Sequence, residues 1–235
     1  LKKTATFADH VIAFNSNLEY TGKLPPGIRI MNPFREQPHI KEIMRQFYKK
    51  FYDDHLTRQM IIGINPGRLG SGSTGVPFTD TKRMIDAHGI NIEGLKTHEP
   101  SAVFMHEMFS AYGGVEKFYK DFYIGSVCPL GFTSVQPGGK EINYNYYDSK
   151  ALTDAVYDFI VKSLKEQLTF GIDTNVAYCL GTGKNFAFLQ QLNNKERFFK
   201  KIVPLEHPRF VMQYKSKTKQ AYIDKYLREF EENRD

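Results

Sequence analysis

The sequence predicts an α/β protein, a three-layer α/β/α arrangement around a central four-stranded, mainly parallel sheet. Three observations carry this. Four short apolar runs read as strands: QMIIGI (59–64), FYIGSV (122–127), NVAYCL (175–180) and FKKIVPL (199–205). Longer helical segments separate them, and crossover helices are what parallel neighbours require. At 235 residues and 41% hydrophobic content, the chain can bury one core without staples, and one domain over 1–235 is expected.

A helix is expected over about 7–19, then a Pro/Gly turn at GKLPPG. A second helix near 39–52 places Ile40, Ile43, Met44, Phe47 and Phe51 at helical spacing. Helices follow near 81–88, 101–112, 149–169, 184–192 and 217–232. In sheets of this kind ligands bind beyond the carboxyl ends of the strands. The segments after Ile64, Val127, Leu180 and Leu205 are therefore the places to search.

The first is GINPGRLGSGSTGVPF (63–78), with glycines at 63, 67, 70, 72 and 75. So bare a backbone can approach a ligand closely. Asn65 is the one polar side chain in its GINPG turn; it either points into what the loop surrounds or caps its own backbone. The second segment runs CPLGF, a Pro/Gly loop, then INYNYYD. Asn143 and Asn145 each offer the donor and acceptor needed to read an imide edge; the alternative is a polar turn. The third, GTGKNFAFL, has Asn185 where a P-loop needs Ser or Thr, so it reads as a tight strand-to-helix turn. The fourth holds His207, placed either to donate to an anion or to serve structure.

The net charge of +6 is uneven. Residues 195–219 hold eight Lys/Arg against two Glu, and the rest of the chain is balanced. Basic residues threaded with Phe, Tyr and Met suit a polyanion with stackable bases; a solvated face is the equal alternative. Two unpaired cysteines, Cys128 and Cys179, fit a reducing, cytoplasmic setting and cannot by themselves hold a four-cysteine cluster. No apolar run approaches a membrane span, so no membrane partner is expected. No HExxH, GxSxG or paired-carboxylate motif stands out, which points to positioning and electrostatics rather than a strong protein base.

On these residues the sequence resembles the uracil-DNA glycosylase superfamily, and within it the single-strand-selective monofunctional branch. GINPGRLGSGSTGVPF matches that branch's G-[MI]-N-P-G…G-V-P-F signature. The likeness continues through TKRMIDAHGI, EPSAVFMHEMFSAYGG, CPL with a GK…N loop, LGTGKNFAFL and His207-Pro208, over roughly 30–215. Where the family usually has Ser-Pro-Arg after His-Pro, Arg209, Phe210 and Val211 follow here.

The resemblance implies a monofunctional glycosylase that flips uracil out of DNA and hydrolyses its bond to C1′ without metal or cofactor. Asn65 would hold the attacking water, and His207 would stabilise the departing base at O2. Gly63, Ile64, Pro66, Gly67 and Gly75 would bring backbone to the base, and Phe78 would stack on it. The base-reading asparagine is Asn143 or Asn145, an ungapped pairing favouring Asn143. Pro208, Arg209, Phe210 and Met212 would enter the DNA, with Lys215 and Lys217 on phosphates. The expected partner is uracil-containing DNA, single-stranded and also duplex, and the expected state is a monomer with nucleoid-associated use. Two rivals are a sister enzyme preferring xanthine and a nucleic-acid-binding module without catalysis.

Overall fold

All four strands expected from the sequence enter one sheet. The computed structural model describes residues 4–234. Its elements run α1 (Phe7–Asn17), β1 (Ile28–Met31), α2 (Pro33–Glu36), α3 (Pro38–Phe51), β2 (Arg58–Gly63), α4 (Ser71–Thr74), α5 (Thr81–Asp86), α6 (Pro100–Tyr112), α7 (Val115–Asp121) and β3 (Phe122–Ser126). They continue β4 (Gly131–Val135), β5 (Glu141–Tyr144), α8 (Lys150–Leu168), β6 (Ile172–Leu180), α9 (Lys184–Glu196), β7 (Lys201–Leu205), α10 (Pro208–Tyr214) and α11 (Lys219–Glu232).

The main sheet has the order β3-β2-β6-β7, and each neighbouring pair is parallel. Met60, Ile61 and Ile62 are all buried, as a central strand covered on both faces demands. One helix group joins α1, α3 and α8; another joins α6, α10 and α11. The apolar stripe of α3 is buried as its spacing predicts. Arg58, almost fully buried, anchors the start of β2. It donates to Asp54 and to the Tyr119 carbonyl, and its guanidinium lies over the rings of Phe7 and Tyr52.

A polar pair sits in the aromatic core near α6. His106 Nδ1 lies 2.8 Å from the Ala102 carbonyl, which can only accept, so Nδ1 carries the proton. His106 Nε2 then accepts from His88 Nε2–H at 2.9 Å. Burial holds both imidazoles neutral, with pKa values lowered to about 3 for His88 and about 4 for His106.

The structure departs from the sequence reading in three places. The stretch between β3 and α8 is no mere loop: β4 and β5 pair antiparallel, and β1 adds to β4, forming a second sheet of order β1-β4-β5. Residue 28 pairs with 134, a separation that local periodicity cannot reveal. Second, the segment 208–214, for which no element was expected, is a helix, α10. Third, the basic stretch 195–219 does not form one face. Residues 195–201 lie at the amino-terminal end of β7, and 207–219 beyond its carboxyl end.

Candidate active site

Residues from five segments, around 63–78, 99–101, 126, 143–147 and 207–214, meet in a cleft of about 580 Å³ beyond the carboxyl ends of the main sheet, and the turn after Leu180 is not among them. The glycine loop after β2 forms one side. Its parallel pairing runs past the strand, Val127 donating to the Gly63 carbonyl and Cys128 to that of Ile64, which fixes where the turn begins. Asn65 then reaches across to the second sheet. Its Oδ1 accepts from the Tyr146 N–H at 3.1 Å, and its Nδ2 donates to the Tyr144 carbonyl at 3.3 Å. Because the partners are backbone groups of fixed polarity, the amide has one orientation. One lone pair of Oδ1 is left for a water.

Phe78 ends the loop with φ +53, in the left-handed region that a bulky side chain avoids. A buried threonine clasp holds this turn: the Thr74 and Thr79 hydroxyls lie 2.7 Å apart, and Thr79 Oγ1 donates to the Val76 carbonyl. The ring is thereby presented to the cleft, 5.8 Å from the His207 ring. Strain of this sort marks a position whose geometry the fold over-determines.

His207 follows β7 and caps α10. Its Nδ1 accepts from the Arg209 N–H at 3.1 Å, so in the neutral ring the proton sits on Nε2. Burial, and the Arg209 charge after it, lower the pKa to about 4. His207 is thus a neutral donor at physiological pH.

The two asparagines differ. Asn143, on β5, is exposed, and its Oδ1 accepts from the Arg68 N–H at 3.1 Å. The Arg68 guanidinium also donates to the Glu141 carbonyl, latching the glycine loop to β5. Asn145 is half-buried between the two backbone groups that Asn65 grips. Its Nδ2 reaches Asp148 only at 3.5 Å, and its Oδ1 has no hydrogen-bond partner among the described residues.

A model of the uracil DNA glycosylase superfamily matches residues 49–231. The chain belongs to this superfamily. Among solved structures it is similar to wild-type SMUG2 of Pedobacter heparinus, at 58% identity and TM-score 0.95, over 97% of this chain and 98% of that one. No curated protein matches. Membership and this likeness make the chain a SMUG-like uracil-DNA glycosylase, a hydrolase of DNA repair with DNA as its substrate.

Within this glycosylase fold, most of the residues singled out from the sequence line the cleft: Gly63, Ile64, Asn65, Pro66, Gly67, Phe78, Asn143, Asn145, His207, Arg209 and Phe210. Gly75 does not. With φ +72 it packs against Ile40, Phe34 and Met44, where a Cβ would collide, so its role is to fold the loop. Pro208 is buried at the first position of α10, and Met212 packs on the core. Lys215 and Lys217 are exposed but outside the lining.

The cleft also takes in Glu99 and Tyr147, which the sequence reading missed, and Tyr214, the last residue of the segment 208–214 expected to enter the DNA. No local pattern marked Glu99, which caps α6. Among the described residues no group of three or more His, Cys, Asp or Glu is placed to hold a metal, and no helix is long and apolar enough to cross a membrane.

Proposed function

We propose that the chain releases uracil from DNA as a monofunctional enzyme without metal or cofactor, with Asn65 and His207 as its catalytic pair. The observation that carries this is that both face one cleft with hydrogen-bonding roles fixed by backbone groups. The C1′–N1 bond breaks with its electron pair passing to the base, and water held by Asn65 Oδ1 adds to C1′. The water's surplus proton goes to solvent and the base anion takes one up, leaving free uracil and an abasic sugar. His207 Nε2–H donates to O2 as charge gathers there. A preoriented donor of this kind contributes roughly 3 kcal/mol to the transition state. Phe78 stacks on the base.

The base edge is read by Asn145 rather than Asn143. Recognition of uracil needs an acceptor for N3–H together with a donor for O4, and Asn145 keeps its carbonyl free while that of Asn143 is engaged. Phe210 and Tyr214, exposed neighbours on α10 with rings 5.5 Å apart, stand where an apolar wedge would fill the gap in a duplex. The enzyme acts as a monomeric single domain on single-stranded and duplex DNA.

A second reading, preference for xanthine, draws on a small cavity of about 40 Å³ that shares Pro66, Ser71, Pro77 and Ser126 with the cleft and gives a larger base room behind the pocket. Base release from oligonucleotides carrying uracil, hydroxymethyluracil, xanthine or hypoxanthine separates the readings. Uracil released fastest supports the first, xanthine the second, and no release leaves a binding module. In the same assay Asn145→Asp weakens uracil release and admits cytosine, whose N4 group is a donor. If Asn143→Asp does this instead, the register is wrong by two residues.

A further inference from the structure

Beside the cleft lies a second hollow of about 260 Å³ that nothing in the reaction above uses. The two share Ile64, Tyr147, His207 and Phe210, so the hollow opens directly onto the site of bond cleavage. Its lining adds the turn Gly181–Lys184 between β6 and α9. Two aromatic rings from separate elements therefore border it, one from the turn after β5 and one from α10. An added Cβ at Gly183 meets nothing within 4 Å, so the backbone of the turn faces open space.

The charges are ordered too. Glu206, the acid of the hollow, is held by Lys225, whose Nζ lies 3.0 Å from both carboxylate oxygens. Lys184 is exposed and forms no ion pair among the described residues. The hollow thus offers aromatic faces, an open backbone turn and one uncommitted cation.

We propose that this hollow binds the nucleotide next to the flipped one, its unpaired base stacking on Tyr147 and Phe210 and its phosphate lying toward Lys184. The inference rests on the glycosylase reading, and the shared lining sets this opening beside the nucleotide that enters the cleft. Stacking on aromatic rings is tolerant of sequence and needs a base freed from its own partner. The site therefore favours lesions whose neighbour is unpaired, and its grip is felt in substrate capture more than in bond cleavage.

The test uses single-stranded oligonucleotides with one uracil, in which the 5′ or the 3′ neighbour is replaced by an abasic analogue. One of the two replacements lowers wild-type kcat/KM roughly tenfold, mainly through KM. Tyr147→Leu and Phe210→Leu, which keep apolar bulk, lose most of that sensitivity, and their melting temperatures report whether folding is kept. In parallel, 2-aminopurine at the sensitive neighbour is quenched on binding by the wild type and less so by Tyr147→Leu. Equal rates with and without either neighbouring base, or variants that keep the full sensitivity, overturn the inference while uracil release stands. Failure to release uracil from any oligonucleotide instead removes the glycosylase reading, and the fluorescence still reports whether a neighbouring base is held.

Discussion

The two halves of the basic stretch 195–219 look alike in sequence and behave differently in the fold. At 195–201 three of the four cations are spent on the protein itself: Lys200 donates to Asn175 Oδ1 at 2.7 Å, Lys201 to Asn233 Oδ1 at 2.6 Å, and Lys195 lies over the Tyr157 ring, while Arg197 is exposed. At 207–217 Arg209, Lys215 and Lys217 are exposed and form no ion pair among the described residues. Between the halves runs β7, whose five residues span about 17 Å. A charge count along a chain cannot see that a strand carries its ends to opposite edges of a sheet. Only the second half borders the cleft, and it alone is expected to act on DNA.

The largest effect that would break this division concerns the chemistry. Asn65→Ala is expected to lose roughly a hundredfold or more in kcat with little change in DNA affinity, because a positioned water matters chiefly in the transition state. Single-turnover rates beside binding isotherms check it, and a normal rate removes Asn65 from its role. A smaller effect sharpens the picture at α10. Tyr214→Ala and Arg209→Ala should impair duplex cleavage roughly tenfold more than single-strand cleavage, since a wedge matters where a paired base must be extruded. Equal losses with a lowered melting temperature would return these residues to a packing role.

Smaller still is the salt test of the two halves themselves. Each of Lys215→Ala and Lys217→Ala should reduce the slope of log K against log salt by about 0.7 for single strands, while Lys195→Ala and Lys200→Ala leave it unchanged. A slope change from the second pair would rejoin the halves. The smallest effect lies in the core. Because the folded pKa values of His88 and His106 lie below the unfolded value near 6.5, the unfolded chain binds more protons in acid. Their contribution to stability is complete above about pH 6.5 and falls as pH drops toward 4. Melting temperatures across that range should decline less steeply in His106→Gln than in the wild type.

Much of the site was legible because its chemistry sits at strand ends. Asn65 follows the run QMIIGI directly and His207 stands two residues after FKKIVPL, and the main sheet brings both to one edge as its parallel order requires. What was not legible depends on distant pairing or on helix faces. β1 lies about a hundred residues from its partner β4, so its pairing left no local trace, whereas β4 and β5 flank the Pro/Gly loop 136–140, a hairpin signal that the sequence reading passed over. Gly75 and Phe78 stand three residues apart in one motif, yet one folds the loop and the other faces the cleft. The backbone at 78, twisted into a conformation bulky residues avoid, is invisible to pattern.

The contacts of Asn65 and Arg68 with the second sheet set the gap between two jaws of a calliper. The jaw built on β2 and β7 carries bond-breaking groups, and the jaw built on β4 and β5 carries the asparagines. Lengthening or shortening the hairpin over 131–144 would reset the gap, and with it the menu of bases admitted, while the cutting edge stays as it is. In such a tool, diet and chemistry can drift apart in descent.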